Sequence, residues 1–80
     1  MSFAEAVEAD QAGDFEVAAR MYEDLLSAGE GTLDVILNLA IMYWQATDPG
    51  IAAGYHVSPE FMSRAAIRCQ ELLEDAPGIR

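Results

Sequence analysis

The sequence predicts an all-α protein made of antiparallel helices stacked in an array, and three observations lead to this fold class. Residues 18–26 and 65–73 repeat each other, because each segment opens with two alanines and closes with two leucines. Apolar residues recur at helical spacing through most of the chain, and residues that favour helix ends separate these stretches. Internal repetition is typical of helical arrays, which usually offer surfaces rather than reactive groups. We therefore expect a protein that is not an enzyme.

Composition limits both the size and the partners of the protein. The 80 residues suffice for a single domain, and the 52% hydrophobic content is enough for a packed core. Fourteen acidic residues against four arginines give a net charge of −10. A field of this sign repels phosphate backbones, so we expect no nucleic-acid partner. The absence of a long apolar run, of a signal-peptide pattern and of paired cysteines predicts a soluble cytoplasmic protein with no membrane partner.

The N-terminal part of the sequence predicts two helices. The first begins at Ser2, where Glu5 completes a capping box, and ends near Gly13. The second follows Asp14 as its cap, carries apolar residues at helical spacing, and ends at Gly29.

Two further helices are predicted in the rest of the chain, which makes about four in all. The third starts after Thr32 and runs to about Ala46, and apolar residues surround almost its whole circumference. We therefore expect the third helix to lie at the centre and to be packed on most sides. The fourth begins with Ser58 as cap and Pro59 in the first turn, and residues 77–78, Pro-Gly, end it.

A segment at about residues 47–58 separates the third and fourth helices. It opens with Asp-Pro-Gly, which is typical of a turn. The remainder includes Ile51, Tyr55 and Val57 and is too apolar for a solvated linker, so we expect it to fold back onto the helices. Two interpretations are open: a loop that sets partner specificity, or a plug that covers an edge of the core.

Two sets of residues carry spacings known from a helical repeat. A first-helix pattern is matched by Ile36, Leu39, Ala40 and Tyr43. A second-helix pattern, an alanine followed four positions later by an aromatic residue, is met by Ala18 and Tyr22, and the same spacing recurs at Ala65 and Cys69 with a thiol in place of the aromatic ring. In these features the chain resembles the tetratricopeptide repeat, a helix-turn-helix unit of 34 residues. The resemblance implies a short right-handed superhelical array of two repeats, residues 1–31 and 32–80. Ala18 and Ala65 are 47 residues apart (65 − 18), so the second repeat contains an insertion of about 13 residues relative to this period.

The resemblance also implies a concave groove lined by the inner helices, here the first and third. The groove positions are Asp34, Leu37, Asn38, Ile41, Trp44 and Gln45 on the third helix, with Phe3, Val7, Asp10 and Gln11 on the first. Helical periodicity alone places the polar residues Asp34, Asn38 and Gln45 on one stripe. Such a groove suits an amphipathic segment with apolar anchors and some positive charge. The alternative is that Leu37, Ile41 and Trp44 belong to the core.

The function predicted from these features is a noncatalytic module that binds a basic or apolar protein segment in the groove, associates with itself, or both. Helical arrays usually need about three repeats and a capping helix, whereas two repeats leave the flank of the last helix bare. We therefore expect self-association to cover this flank, or a downstream region to do so if the chain is a fragment. The alternative function is an acidic immunity or chaperone-type protein that neutralises a basic partner. The resemblance places Asn38 where related proteins use an asparagine, with lysines or arginines of the groove, to bind the C-terminal carboxylate of a partner. We expect no such site here, because the chain has no lysine and its arginines fall outside the inner helices.

Single reactive residues do not change this prediction. His56 is the one histidine, so no zinc set can form around it, and no nucleophile–base pair, phosphate loop or cofactor site is recognisable. Cys69 lies on the apolar stripe of its helix, which favours a small packing residue over a reactive thiol. We expect neither cofactor nor metal.

Overall fold

The computed structural model describes residues 2–30 and 32–75 and consists of helices connected by short turns. In chain order the helices are α1 (Phe3–Gln11), α2 (Phe15–Ser27), α3 (Leu33–Ala46), α4 (Pro49–Gly54) and α5 (Pro59–Asp75). Within these described ranges there is no strand, and the predicted all-α class is confirmed. None of the described helices is both long enough and apolar enough to cross a membrane.

The predicted helix starts are confirmed. The side-chain oxygens of Ser2, Thr32 and Ser58 accept hydrogen bonds from the backbone N–H groups three residues later, at 3.3, 3.3 and 3.2 Å. Each bond satisfies one of the free donors at a helix N-terminus. Asp14 precedes α2 as expected, although its side chain makes no capping hydrogen bond.

Two glycines end the first two helices in the same way. Gly13 and Gly29 have φ angles of +83° and +82°, in the left-handed region that a residue without Cβ adopts most easily. The next N–H then reaches back five residues, from Asp14 to the carbonyl of Ala9 at 3.0 Å and from Glu30 to that of Leu25 at 2.9 Å. These are the bonds of a Schellman motif. The predicted end of the last helix at residues 77–78 lies outside the described residues.

The segment after α3 is where the helix prediction is wrong, because it contains a short fifth helix rather than a loop. The Asp48 carboxylate caps α4 by accepting hydrogen bonds from the N–H groups of Gly50 and Ile51, at 2.8 and 3.2 Å. Pro49 occupies the first turn, where its missing N–H costs nothing. Ala52 is buried. The segment folds back onto the other helices, as predicted.

Helix α3 lies at the centre of the molecule, as predicted. It packs against α2, α5 and α4 and touches α1, and its residues Leu39, Met42 and Ala46 are fully buried. The core is completed by buried residues of the other helices, namely Ala6, Phe15, Ala18, Ala19, Tyr22, Leu25, Phe61, Ala65 and Leu72. The expectation that α3 is packed on most sides is wrong for one stripe, because Ile41 is 53% exposed and Trp44 68% exposed.

The two repeated segments do not pack alike. Both alanines at residues 18–19 are buried in α2. In α5 the first member of each pair is buried, at Ala65 and Leu72, and the second members, Ala66 and Leu73, are exposed. Helix α5 therefore packs on the core through one side, and the described residues Ala66 and Leu73 on its other side are exposed.

Candidate protein-interaction groove

A concave cleft of about 450 Å³ lies between α1, α3 and the segment that follows α3. We call it the α1–α3 groove. It is lined by Val7, Asp10, Gln11, Phe15, Asn38, Ile41, Gln45, Ile51 and Tyr55. The side chains from α1 are held by the packing of α1 on α2, and those from α3 by the central position of that helix.

Six of the ten groove residues predicted from sequence line this cleft together. They are Val7, Asp10, Gln11, Asn38, Ile41 and Gln45. Helical spacing is sufficient to place such residues on one face, which explains the agreement. That these residues bind a partner stays a prediction.

The other four predicted residues lie elsewhere. The ring of Phe3 packs against Tyr22, with centroids 6.1 Å apart, and Asp34 is exposed beyond the end of the cleft, where its carbonyl accepts a 2.7 Å hydrogen bond from the Asn38 amide. Leu37 is half-buried. Trp44 borders a smaller cavity of about 140 Å³, which it shares with Gln45 and Ile51. Gln45 and Ile51 line both cavities, so Trp44 is adjacent to the groove but does not line it.

The alternative that Leu37, Ile41 and Trp44 form plain core is wrong for two of the three. Ile41 and Trp44 are among the most exposed large apolar side chains of the described residues, and Leu37 alone is partly covered. Side chains that stay exposed in the folded protein contribute little hydrophobic stabilisation. That this exposed part of α3 binds a partner stays a prediction.

Tyr55 forms a wall of the groove that sequence analysis did not identify. Its ring lies directly against Gly13, where a Cβ atom would overlap it, and its centroid is 5.3 Å from that of Phe15. The segment after α3 thus covers part of the core and lines the groove, whereas a role in partner specificity stays a prediction. The apolar character of residues 51–57 was the available signal.

Asp10 is the one charged residue among those that line the groove. Burial raises the pKa of the Asp10 carboxyl, and a 3.4 Å hydrogen bond donated by the Tyr22 hydroxyl partly opposes this effect. Burial and the nearby Asp10 charge together raise the pKa of Tyr22 to about 12. A partly desolvated carboxylate between neutral amides would be stabilised by a cation from a partner.

The described residues offer little for catalysis or metal binding. No group of three or more histidine, cysteine, aspartate or glutamate side chains in the described part of the chain is arranged to hold a metal ion. His56 is exposed in the turn before α5, with a φ of +56°. The Cys69 thiol donates to the Ala40 carbonyl at 3.3 Å, and burial raises its pKa. A thiol held in this way is a packing group, as predicted, because the reactive form is the thiolate.

Comparison with known proteins adds no relative. A scan against protein-family models, a search of curated proteins and a search of solved structures each found no match. The structure itself defines a small all-helical protein, in which the described residues form five helices packed around α3 with a groove beside it.

Proposed function

We propose that this protein is a noncatalytic interaction module that binds a segment of another protein in the α1–α3 groove. The observation that carries the proposal is the exposed Ile41 in a groove lined by neighbouring helices. The tetratricopeptide-like array, with α1 and α3 as inner helices, is part of the same proposal. It is supported by the packing of α1 on α2, α2 on α3 and α3 on α5, which is the neighbour-to-neighbour order of a helical array.

The lining of the groove specifies the chemistry of the partner segment. Val7, Ile41 and Ile51 offer apolar contacts, and Asp10 offers one partly buried carboxylate. An amphipathic helix that presents apolar residues at three- and four-residue spacing, with a lysine or arginine beside them, fits both features. The net charge of −10 likewise favours a positively charged partner and disfavours nucleic acid. A cytoplasmic location belongs to this proposal.

Binding to matched variants tests the groove. A partner captured with the wild-type protein is purified, and its affinity is measured by titration against Ile41→Asp and Ile67→Asp. Both residues are exposed, at 53% and 64%, so neither change should unfold the protein, but Ile67 lies on α5 away from the groove. We expect Ile41→Asp to weaken binding at least ~10-fold, or about 1.4 kcal/mol, and Ile67→Asp to leave it unchanged. Equal affinities for wild type and Ile41→Asp would exclude the groove as the binding site.

A second candidate function is an acidic protein that neutralises a basic partner, as an immunity protein or chaperone does. The observation that favours it is the concentration of charge, with fourteen acidic side chains in 80 residues. Salt separates the two functions, because exposed charges more than about 8–10 Å apart are largely screened at physiological ionic strength. An affinity that falls steeply with added salt favours neutralisation. An affinity that depends on Ile41 and changes little with salt favours the groove.

A further inference from the structure

A second cleft lies between α2 and α5, on the side of α3 that faces away from the groove. Its floor is formed by Tyr43 and Phe61, whose ring centroids are 5.9 Å apart. Tyr43 and the groove residue Ile41 are two positions apart on α3, and such residues point to nearly opposite sides of a helix. Two adjoining parts of the cleft have volumes of about 320 and 310 Å³. We call this surface the α2–α5 face.

The α2–α5 face has a charge balance unlike the rest of the chain. Its lining contains three arginines and three glutamates, namely Arg20, Arg64, Arg68, Glu16, Glu23 and Glu71. The chain has four arginines in total, so three of them lie on this one face. Because the six charges cancel, the whole net charge of −10 is carried by residues outside the face.

Part of this charge is used within the molecule. Arg68 binds Glu23 through two hydrogen bonds, of 2.8 Å from Nε and 2.9 Å from Nη2. The Tyr43 hydroxyl donates to the same carboxylate at 2.8 Å, which ties α2, α3 and α5 together. These bonds from Arg68 and Tyr43 lower the pKa of Glu23 despite its burial, which alone would raise it. Glu23 and Arg68 therefore serve the fold.

The remaining charges of the face are available to a partner. Arg20 and Arg64 are exposed and form no ion pair with any residue of the described ranges. The Arg64 guanidinium lies 5.7 Å from the centre of the Phe61 ring. Glu16 is exposed on the same face. Beside them Ile67 is 64% exposed, whereas Phe61 is 4% and Tyr43 6% exposed. The face therefore presents an aliphatic side chain and arginines, and arginine is enriched at interfaces.

We propose that the α2–α5 face joins two copies of this protein in a two-fold symmetric dimer. The proposal takes up the self-association expected from the sequence and is independent of what binds in the groove. A second copy carries the same charge of −10, so surfaces that share this excess repel one another. The α2–α5 face lacks this excess, and a two-fold axis can place Arg20 or Arg64 of one copy beside Glu16 of the other. The exposed Ile67 would be buried between the two copies.

The test compares the mass in solution of the wild type with two matched variants, by sedimentation equilibrium over the micromolar range. Ile67→Asp places a charge at the centre of the proposed interface, and Ile41→Asp places the same charge in the groove. We expect a wild-type dimer, an Ile41→Asp dimer of similar affinity, and an Ile67→Asp dimer weakened at least ~10-fold. Arg64→Glu makes the face acidic and should weaken the dimer as well. Circular dichroism of each variant confirms that the helices are retained.

Three results would overturn the proposal. A wild-type protein that stays monomeric throughout the range shows that the face does not join two copies. A dimer that survives Ile67→Asp uses another surface. A dimer that is lost in Ile41→Asp depends on the groove, even if Ile67→Asp also weakens it. The first two results leave the affinity of the groove for a partner segment untouched, so the dimer and the groove can fail separately.

Discussion

The contact between Gly13 and Tyr55 can be measured with a pair of substitutions that the structure matches closely. Gly13 and Gly29 each follow a helix, have nearly the same φ of +83° and +82°, and precede the same type of hydrogen bond. They differ in their surroundings. A Cβ atom at Gly13 would overlap the Tyr55 ring, whereas a Cβ atom at Gly29 would meet nothing within 4 Å. Gly29→Ala is therefore the control for Gly13→Ala.

The expected magnitudes follow from these surroundings. An alanine in the left-handed region costs about 1–2 kcal/mol, and the reduced freedom of the unfolded chain returns about 0.4–1 kcal/mol. Both terms apply equally at the two sites, so Gly29→Ala should cost about 1 kcal/mol. Gly13→Ala must also displace Tyr55 from its packing on Phe15, where an aromatic pair contributes about 0.5–1.5 kcal/mol beyond its buried area. We expect a total of about 1.5–2.5 kcal/mol.

Urea denaturation followed by circular dichroism gives the free energy of unfolding of each variant. In thermal unfolding the extra loss should lower Tm by about 4–8 °C for each kcal/mol in a protein of this size. Tyr55→Ala alone, and combined with Gly13→Ala, completes a double-mutant cycle. In the Tyr55→Ala background, Gly13→Ala should cost no more than Gly29→Ala costs in the wild type. Equal losses for Gly13→Ala and Gly29→Ala in the wild type, within about 0.5 kcal/mol, would refute the contact.

Three further predictions concern titratable groups. Because the pKa of Glu23 is held below its ordinary 4.5, its interactions stabilise the fold above that pH and are lost as the pH falls further. Glu23→Gln should therefore cost about 1–2 kcal/mol at pH 7, whereas Asp24→Asn, at an exposed neighbouring position, should cost almost nothing. Equal losses would contradict the role of Glu23. The pKa of Asp10 is shifted the other way, above its ordinary 3.8, so Asp10 favours the fold below that pH and opposes it as the pH rises. Asp10→Asn should raise the urea midpoint at pH 7 and weaken binding of a cationic partner. A lowered midpoint would count against desolvation as the cause of the raised pKa. The Cys69 thiol should react with iodoacetamide more slowly in the folded protein than in urea; equal rates would show that it is not held by Ala40.

The helices were predictable from sequence where local chemistry decides them. Ser2, Thr32 and Ser58 each cap a helix through a bond three residues long, which depends on no distant contact. Helix α4 was missed because its six residues are too few to show a helical period. Its position depends on the burial of Ala52, which only the folded chain supplies.

The groove was predictable to the extent that it follows from helix geometry. Asn38, Ile41 and Gln45 share a face of α3, and their spacing alone places them together. Trp44 was predicted to line the groove with them, but it lines a neighbouring cavity, and Gln45 and Ile51 border both. The contact of Tyr55 with Gly13 joins residues 42 positions apart (55 − 13), and no spacing rule reports such a contact.

The contacts that cross the midpoint of the chain determine how it should unfold. In a simple helical array each unit touches only its neighbours, so stability is close to a sum of unit and interface terms, and partly unfolded forms can be populated. Here Tyr55 packs on Gly13 and Phe15, and Arg68 binds Glu23. The segment after α3 and helix α5 are therefore each tied to the first half of the chain. Unfolding either half removes contacts that the other half needs. The protein should therefore lose its structure in one cooperative transition, and neither half is an independent folding unit.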